Sequence, residues 1–254
     1  MKHYLGRHVY GLGAIAYGVI AFSWHDLYNW YQLPVLENIL HGKILAFIAG
    51  VILILGGMTI QWKKTMRQGA LILGAISLLF SLLWLTLVIE EPLNFAGWGN
   101  FFEHFSLVAG ALIIYASTSS SNLKHAARVA RLGYIFFGIS VISFALYQLF
   151  YLSYTASLVP KWVPPGQMFW AITTTIAFAL AAFAILSGRS ALLASRLLTI
   201  MLFLFGLMVF TPGSFVDPYN LSNWTEIVST LSIMGAAWIV VDYLKINQSA
   251  ESAK

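Results

Sequence analysis

The sequence predicts an all-α membrane protein with eight transmembrane helices, arranged as two parallel four-helix repeats. Three observations carry this expectation. The apolar residues come in long runs almost free of charge, Lys and Arg are confined to alternate connections, and short motifs recur about 120 residues apart.

Of the 254 residues, 59% are apolar and 9% charged, whereas a soluble domain carries about 25% Asp, Glu, Lys and Arg. The mean hydropathy is +0.80. So few charges cannot cover a water-facing surface. The net charge of +5 does not indicate nucleic acid, because the basic residues sit in short turns between apolar runs; there they read as topology signals. With no cysteine, the chain offers no thiol nucleophile, dithiol relay, iron–sulfur cluster or Cys-type zinc site. The first apolar run follows Lys2 and Arg7 but ends in Ser23-Trp24-His25-Asp26 without a small-x-small cleavage site. It is expected to be a retained helix, not a removed signal.

A span needs about 20 mostly apolar residues. The runs qualifying or nearly so are roughly 9–27, 44–62, 69–89, 101–117, 132–152, 168–187, 192–210 and 224–243. With the N-terminus inside, the inner segments hold Lys2, Arg7, Lys63, Lys64, Arg67, Lys124, Arg128, Arg131, Arg189, Arg196, Lys245 and Lys254, and only Lys43 and Lys161 fall outside. The positive-inside rule then puts both termini in the cytoplasm. All seven prolines are expected in outer connections, none interrupting a span: Pro34, Pro92, Pro160, Pro164, Pro165, Pro212 and Pro218. Proline lacks the amide donor that a lipid-embedded backbone requires. Aromatic girdles such as Trp24, Trp98, Trp162 and Trp224 mark the same level. No connection exceeds about 17 residues, which leaves no room for a soluble catalytic domain.

Leu12-Gly13-x-Ile15-x-x-Gly18 recurs as Leu132-Gly133-x-Ile135-x-x-Gly138, and Asn100-x-x-Glu103 recurs as Asn223-x-x-Glu226. Each half holds an even number of spans, so both enter from the cytoplasm and the repeat is parallel. The expected units are residues 1–120 and 121–254. Small residues at four-residue spacing, such as Ala46 and Gly50 or Ser106 and Gly110, suit close helix packing in lipid.

The chain resembles the DoxX family of small membrane proteins. The resemblance rests on the Arg7…Gly13-x-x-x-x-Gly18 opening, on Leu158-Val159-Pro160-x-Trp162-Val163-Pro164 leading into Phe169-Trp170, and on the apolar last span after Asn223. A family unit has four spans, so nearly the whole chain resembles two fused units. Most of that family has no established activity; the resemblance implies a membrane component of a quinone-linked redox or stress-response system, handling quinone or a small metabolite at its outer mouth, with a membrane or periplasmic redox partner. It also implies residence in the bacterial cytoplasmic (inner) membrane. It carries over no catalytic residue. Two alternatives stand beside it: a small-molecule or ion permease, and an assembly or anchoring subunit with no site of its own. A permease is disfavoured because no span shows a Gly/Pro break near mid-membrane.

The candidate ligand- or proton-handling residues are His25, Asp26, His41, Glu90, Glu91, Glu103 and His104, which could gather at an outer mouth of the first half. The competing reading makes most of them ordinary headgroup-level residues, since ionisable groups are expensive only at membrane depth. No pair of histidines has metal-binding i, i+4 spacing, and no metal site is expected. Asn100 with Glu103, and Asn223 with Glu226, read as capping boxes at helix starts. His104 has no counterpart in the second copy and is the more informative residue, because imidazole can bind protons, metals or quinone oxygens.

Overall fold

The computed structural model describes residues 4–26, 42–119 and 122–252. Among these residues every regular element is helical. In chain order they are α1 (Gly6–Trp24), α2 (Gly42–Thr59), α3 (Met66–Glu90), α4 (Phe95–Ser117), α5 (Leu123–Phe150), the short α6 (Leu152–Leu158), α7 (Gln167–Ser187), α8 (Ala191–Leu204), a π-helical turn (Phe205–Phe210), α9 (Thr211–Val216) and α10 (Leu221–Glu251).

Among the described residues five helices are long and apolar enough to cross a membrane: Met66–Glu90, Leu123–Phe150, Gln167–Ser187, Ala191–Val216 and Leu221–Ala250. Helices α1, α2 and α4 occupy the three other predicted positions. Several faces carry exposed apolar side chains, among them Leu78, Leu79 and Leu82 on α3 and Leu193, Leu197 and Ile200 on α8. Continuous apolar faces on helices of this length belong in lipid, where the helix satisfies its own backbone.

The packing order is a closed ring: α1 against α2, then α3, α4, α5, α7, α8 and α10, with α10 returning to α1. Helix α4 also touches α10 across the ring. These two helices therefore divide the interior. One compartment is walled by α1, α2, α3, α4 and α10; the other by α4, α5, α7, α8 and α10. Burial follows this position: 67% of the apolar window of α10 is buried, against 17% in the outer α8 helix.

Glycine makes the ring closure possible. A Cβ on Gly235 of α10 would lie 2.3 Å from the backbone nitrogen of Tyr10 on α1, and one on Gly13 would lie 2.9 Å from the backbone of Ser232. Between the neighbouring α4 and α5, a Cβ on Gly133 of α5 would lie 2.6 Å from the Ala109 carbonyl oxygen on α4. Close backbone approach is how helices gain dispersion energy in lipid, where no hydrophobic force draws them together.

The helix ends show how the turns are held. Pro92-x-Asn94-x-x-x-Trp98 and Pro218-x-Asn220-x-x-x-Trp224 fold alike. The asparagine caps the new helix, Asn94 Oδ1 accepting from the Ala96 amide and Asn220 Oδ1 from the Ser222 amide, each at 3.1 Å. The indole N–H of Trp98 donates to the Pro92 carbonyl at 3.0 Å, and that of Trp224 to the Pro218 carbonyl at 2.9 Å. Trp170 makes the same bond to Pro164 at 2.9 Å. At the opposite end α1 has no side-chain cap of its own. Asp242 of α10 supplies it, Oδ2 accepting from the Gly6 amide at 2.9 Å.

Two expectations are corrected here. Asn100 and Asn223 are not N-caps. The helices start earlier, at the Pro-x-Asn turns, so Asn100 lies inside α4 and donates to the Ala96 carbonyl. Asn223 lies inside α10 and ties it to the preceding segment through the Gly213 and Asp217 carbonyls. Secondly, Pro212 is not in a connection: the helix that begins at Ala191 continues to Val216. A proline there cannot donate to the preceding turn and would clash with it. The chain accommodates it by widening into the π turn just upstream, where the Thr211 hydroxyl donates to the Gly206 carbonyl at 2.6 Å.

Candidate ligand-binding site

The two compartments differ in content. In the first, Tyr10, Tyr17, Phe80, His104 and Leu107 fill the centre and leave about 30 Å³. The second contains a partly open chamber of about 330 Å³. Its walls include Phe144, Tyr147, Phe178, Phe205 and Phe210, and its polar groups include Asn100, Glu103, Gln148, Thr225, Glu226 and Ser229.

Helical geometry explains why neighbouring residues part company. Successive residues on an α-helix are about 100° apart. Glu103 therefore turns to the open chamber while His104 turns to the filled compartment. Residues 100 and 103 share a face of α4 and residues 226, 229 and 230 a face of α10, because i, i+3 and i+4 positions align. Since α4 and α10 form the partition, their carboxylates look into one space.

Donors surround these acceptors. The Gln148 side-chain amide lies 3.2 Å from the Thr174 and Thr175 hydroxyls, which also bond to their own helix carbonyls at 2.9 and 2.8 Å. These contacts hold the amide at the chamber wall. The Tyr147 hydroxyl is on the same wall. Ser229 lies within hydrogen-bonding reach of the Glu103 carboxylate. Among the described residues no Lys or Arg lines the chamber. The π turn contributes Phe205 and Phe210, so the irregular stretch of the α8–α9 helix borders the site. Irregular turns of this kind are frequent at functional positions.

The predicted residues are distributed as follows. Glu103, Asn100 and Glu226 meet at the chamber. His104 is buried, with its ring edge-on to Phe80 at 5.3 Å between centroids. His25 is exposed at the end of α1 in a left-handed conformation (φ 52), and Asp26 beside it is half-buried. Glu90 and Glu91 are exposed at the end of α3, where Glu91 accepts from Asn94 Nδ2 at 2.8 Å. His41 lies outside the described residues. The structure thus brings one carboxylate from each half together and leaves His25, Asp26, Glu90, Glu91 and His104 outside the chamber lining. Among the described residues no group of three or more His, Cys, Asp or Glu could hold a metal.

Sequence reasoning missed Tyr147, Gln148, Ser229, Asp242 and the two clasps. The clasps were visible as a second repeat, Pro-x-Asn-x-x-x-Trp at 92–98 and 218–224. Asp242 was visible as an acid inside an apolar run. Tyr147, Gln148 and Ser229 carry no local signal; only the ring closure places them at the chamber.

The apolar helices and their exposed faces define a helical membrane protein. No family model, no curated protein and no solved structure matches the chain.

Proposed function

We propose that the protein crosses the membrane eight times, as two parallel four-helix repeats (1–120 and 121–254) with both termini in the cytoplasm, and binds the ring of a small quinone-type molecule in its open chamber. The observation carrying the binding reading is the chamber itself: about 330 Å³ with aromatic walls, the Gln148 amide and Tyr147 hydroxyl as donors, and Glu103 facing Glu226. This volume is at the small end of ligand sites, about 300–1,000 Å³, and suits a single substituted ring. Donors recognise ring carbonyls, and carboxylates recognise ring hydroxyls. The choice of quinone, the inner-membrane location and the redox partner rest on the DoxX resemblance. In support of the topology, the Trp98, Trp170 and Trp224 clasps stand at the helix starts assigned to the outer side. In support of the repeat, Gly13 and Gly133 each seat their helix on α10 or α4.

One observation favours a permease as the second reading. The π turn and Pro212 break the regularity of the α8–α9 helix beside the chamber, which is the kind of interruption that builds transport sites. Purification in native-lipid nanodiscs followed by mass spectrometry separates the readings. Bound quinone in the native protein, reduced at least about tenfold (about 1.4 kcal/mol) by Glu103→Gln or Glu226→Gln, supports the first. A bound polar solute supports the second, and a stoichiometric protein with an empty chamber refutes both.

A further inference from the structure

The filled compartment holds a feature that the ligand chamber does not use. His104 is 7% exposed, with its ring edge-on to Phe80. It faces the residual space of about 30 Å³, as do Tyr17, Ser77, Ser229 and Ser232. Ser232 Oγ donates to the Val228 carbonyl at 2.8 Å and keeps its lone pairs free to accept. Buried polar groups are normally paired with protein or with ordered water.

The space is large enough for a water molecule, whose centre needs about 10–15 Å³ and which needs two to four polar partners. Wholly apolar cavities stay dry; this lining is mostly apolar, and His104, Tyr17, Ser77, Ser229 and Ser232 supply the polar partners a water needs. Ser229 adds connection, because it lines both this space and the open chamber. Standing on the α10 side of the partition, it lies within hydrogen-bonding reach of Glu103.

We propose that an ordered water molecule sits beside His104, bound by its imidazole and the Tyr17 hydroxyl, and that it exchanges with the open chamber past Ser229. The polar contacts then run from Glu103 through Ser229 and the water to His104. His104 is thereby the inner end of a water-lined route and not a dry core residue. The inference does not depend on which ligand the chamber takes.

Two measurements on the full-length protein in nanodiscs test it. The first is hydroxyl-radical labelling by X-ray radiolysis in ¹⁸O water, which marks buried side chains next to bound water. Tyr17 and His104 should take up label well above Phe137, which is fully buried against apolar neighbours. Labelling no greater than that of Phe137 overturns the proposal. The second is deuterium exchange at the histidine C2 position. His104 should exchange in the folded protein, and Ser229→Leu should slow it about tenfold by plugging the route while leaving exposed His25 unchanged. Exchange at His104 that Ser229→Leu does not slow, in a variant that folds, removes the connection past Ser229. The radiolysis result needs no variant. Quinone occupancy is read separately, so failure here is distinguishable from failure of the ligand reading.

Discussion

Replacing Asp242 tests how the ring closes. The carboxylate is 5% exposed, and Oδ2 accepts from the Gly6 amide at the start of α1. The N-cap residue, Leu5, offers no side-chain acceptor. Asp242→Ala leaves a buried N–H without a partner, a loss of about 1–3 kcal/mol. It also removes a negative group from the positive end of α1, worth about 0.3–2 kcal/mol. Because both arise at one site, a combined loss of about 2–4 kcal/mol is expected. At roughly 2–4 °C per kcal/mol for a chain of this size, the melting temperature should fall by about 5–15 °C. Asp242→Asn keeps an oxygen acceptor and a similar shape, so it should lose about 1 kcal/mol, the charge contribution alone. Tryptophan fluorescence during heating reads this directly, since the chain carries nine tryptophans. Equal melting temperatures for the Ala and Asn variants, or two variants indistinguishable from the native protein, would refute the capping argument.

Three other expectations follow from the same packing. Reporter fusions after Lys64, Arg131 and Arg189 should read cytoplasm, and those after Gly97, Pro165 and Asp217 the opposite side; a cytoplasmic signal after Pro165 sinks the two-repeat topology. A chain cut between Ser120 and Lys124 should assemble when both pieces are co-expressed, with neither stable alone, because α1 packs on α10 and α5 on α4; a monodisperse, stable single half would contradict this. Gly235→Ala should destabilise by about 1–3 kcal/mol through overpacking, since its Cβ would meet the Tyr10 backbone at 2.3 Å. Gly97→Ala, whose Cβ has only ordinary contacts from 3.4 Å, should be neutral or stabilising by up to about 1 kcal/mol; thermal melts of the pair give the comparison.

Helix positions were legible in the sequence because lipid exposure demands long apolar runs. Helix ends were less so, for a physical reason. Residues 95–100 looked like a connection because they include Asn100 and lead into Glu103, but polar groups facing a chamber do not end a helix, and α4 begins at Phe95. Pro212 misled in the opposite way, as a π turn let the helix pass a residue that normally stops it. The site was half legible. Glu103 and Glu226 stood out as repeated acids, yet their meeting depends on α10 packing across the ring against α4, and no local spacing encodes that contact. His104 stood out beside Glu103, but the 100° step between neighbours sends it into the other compartment.

The most direct test of the shared chamber is quinone affinity measured on the native protein, Glu103→Gln and Glu226→Gln, with a short-chain ubiquinone titrated in nanodiscs. If both carboxylates line one ligand site, each substitution weakens binding by a similar factor, about tenfold, corresponding to one lost charge-assisted hydrogen bond. The double variant should bind no more tightly than either single. Native affinity in Glu226→Gln alongside lost affinity in Glu103→Gln would place the site in the first half alone and contradict the account.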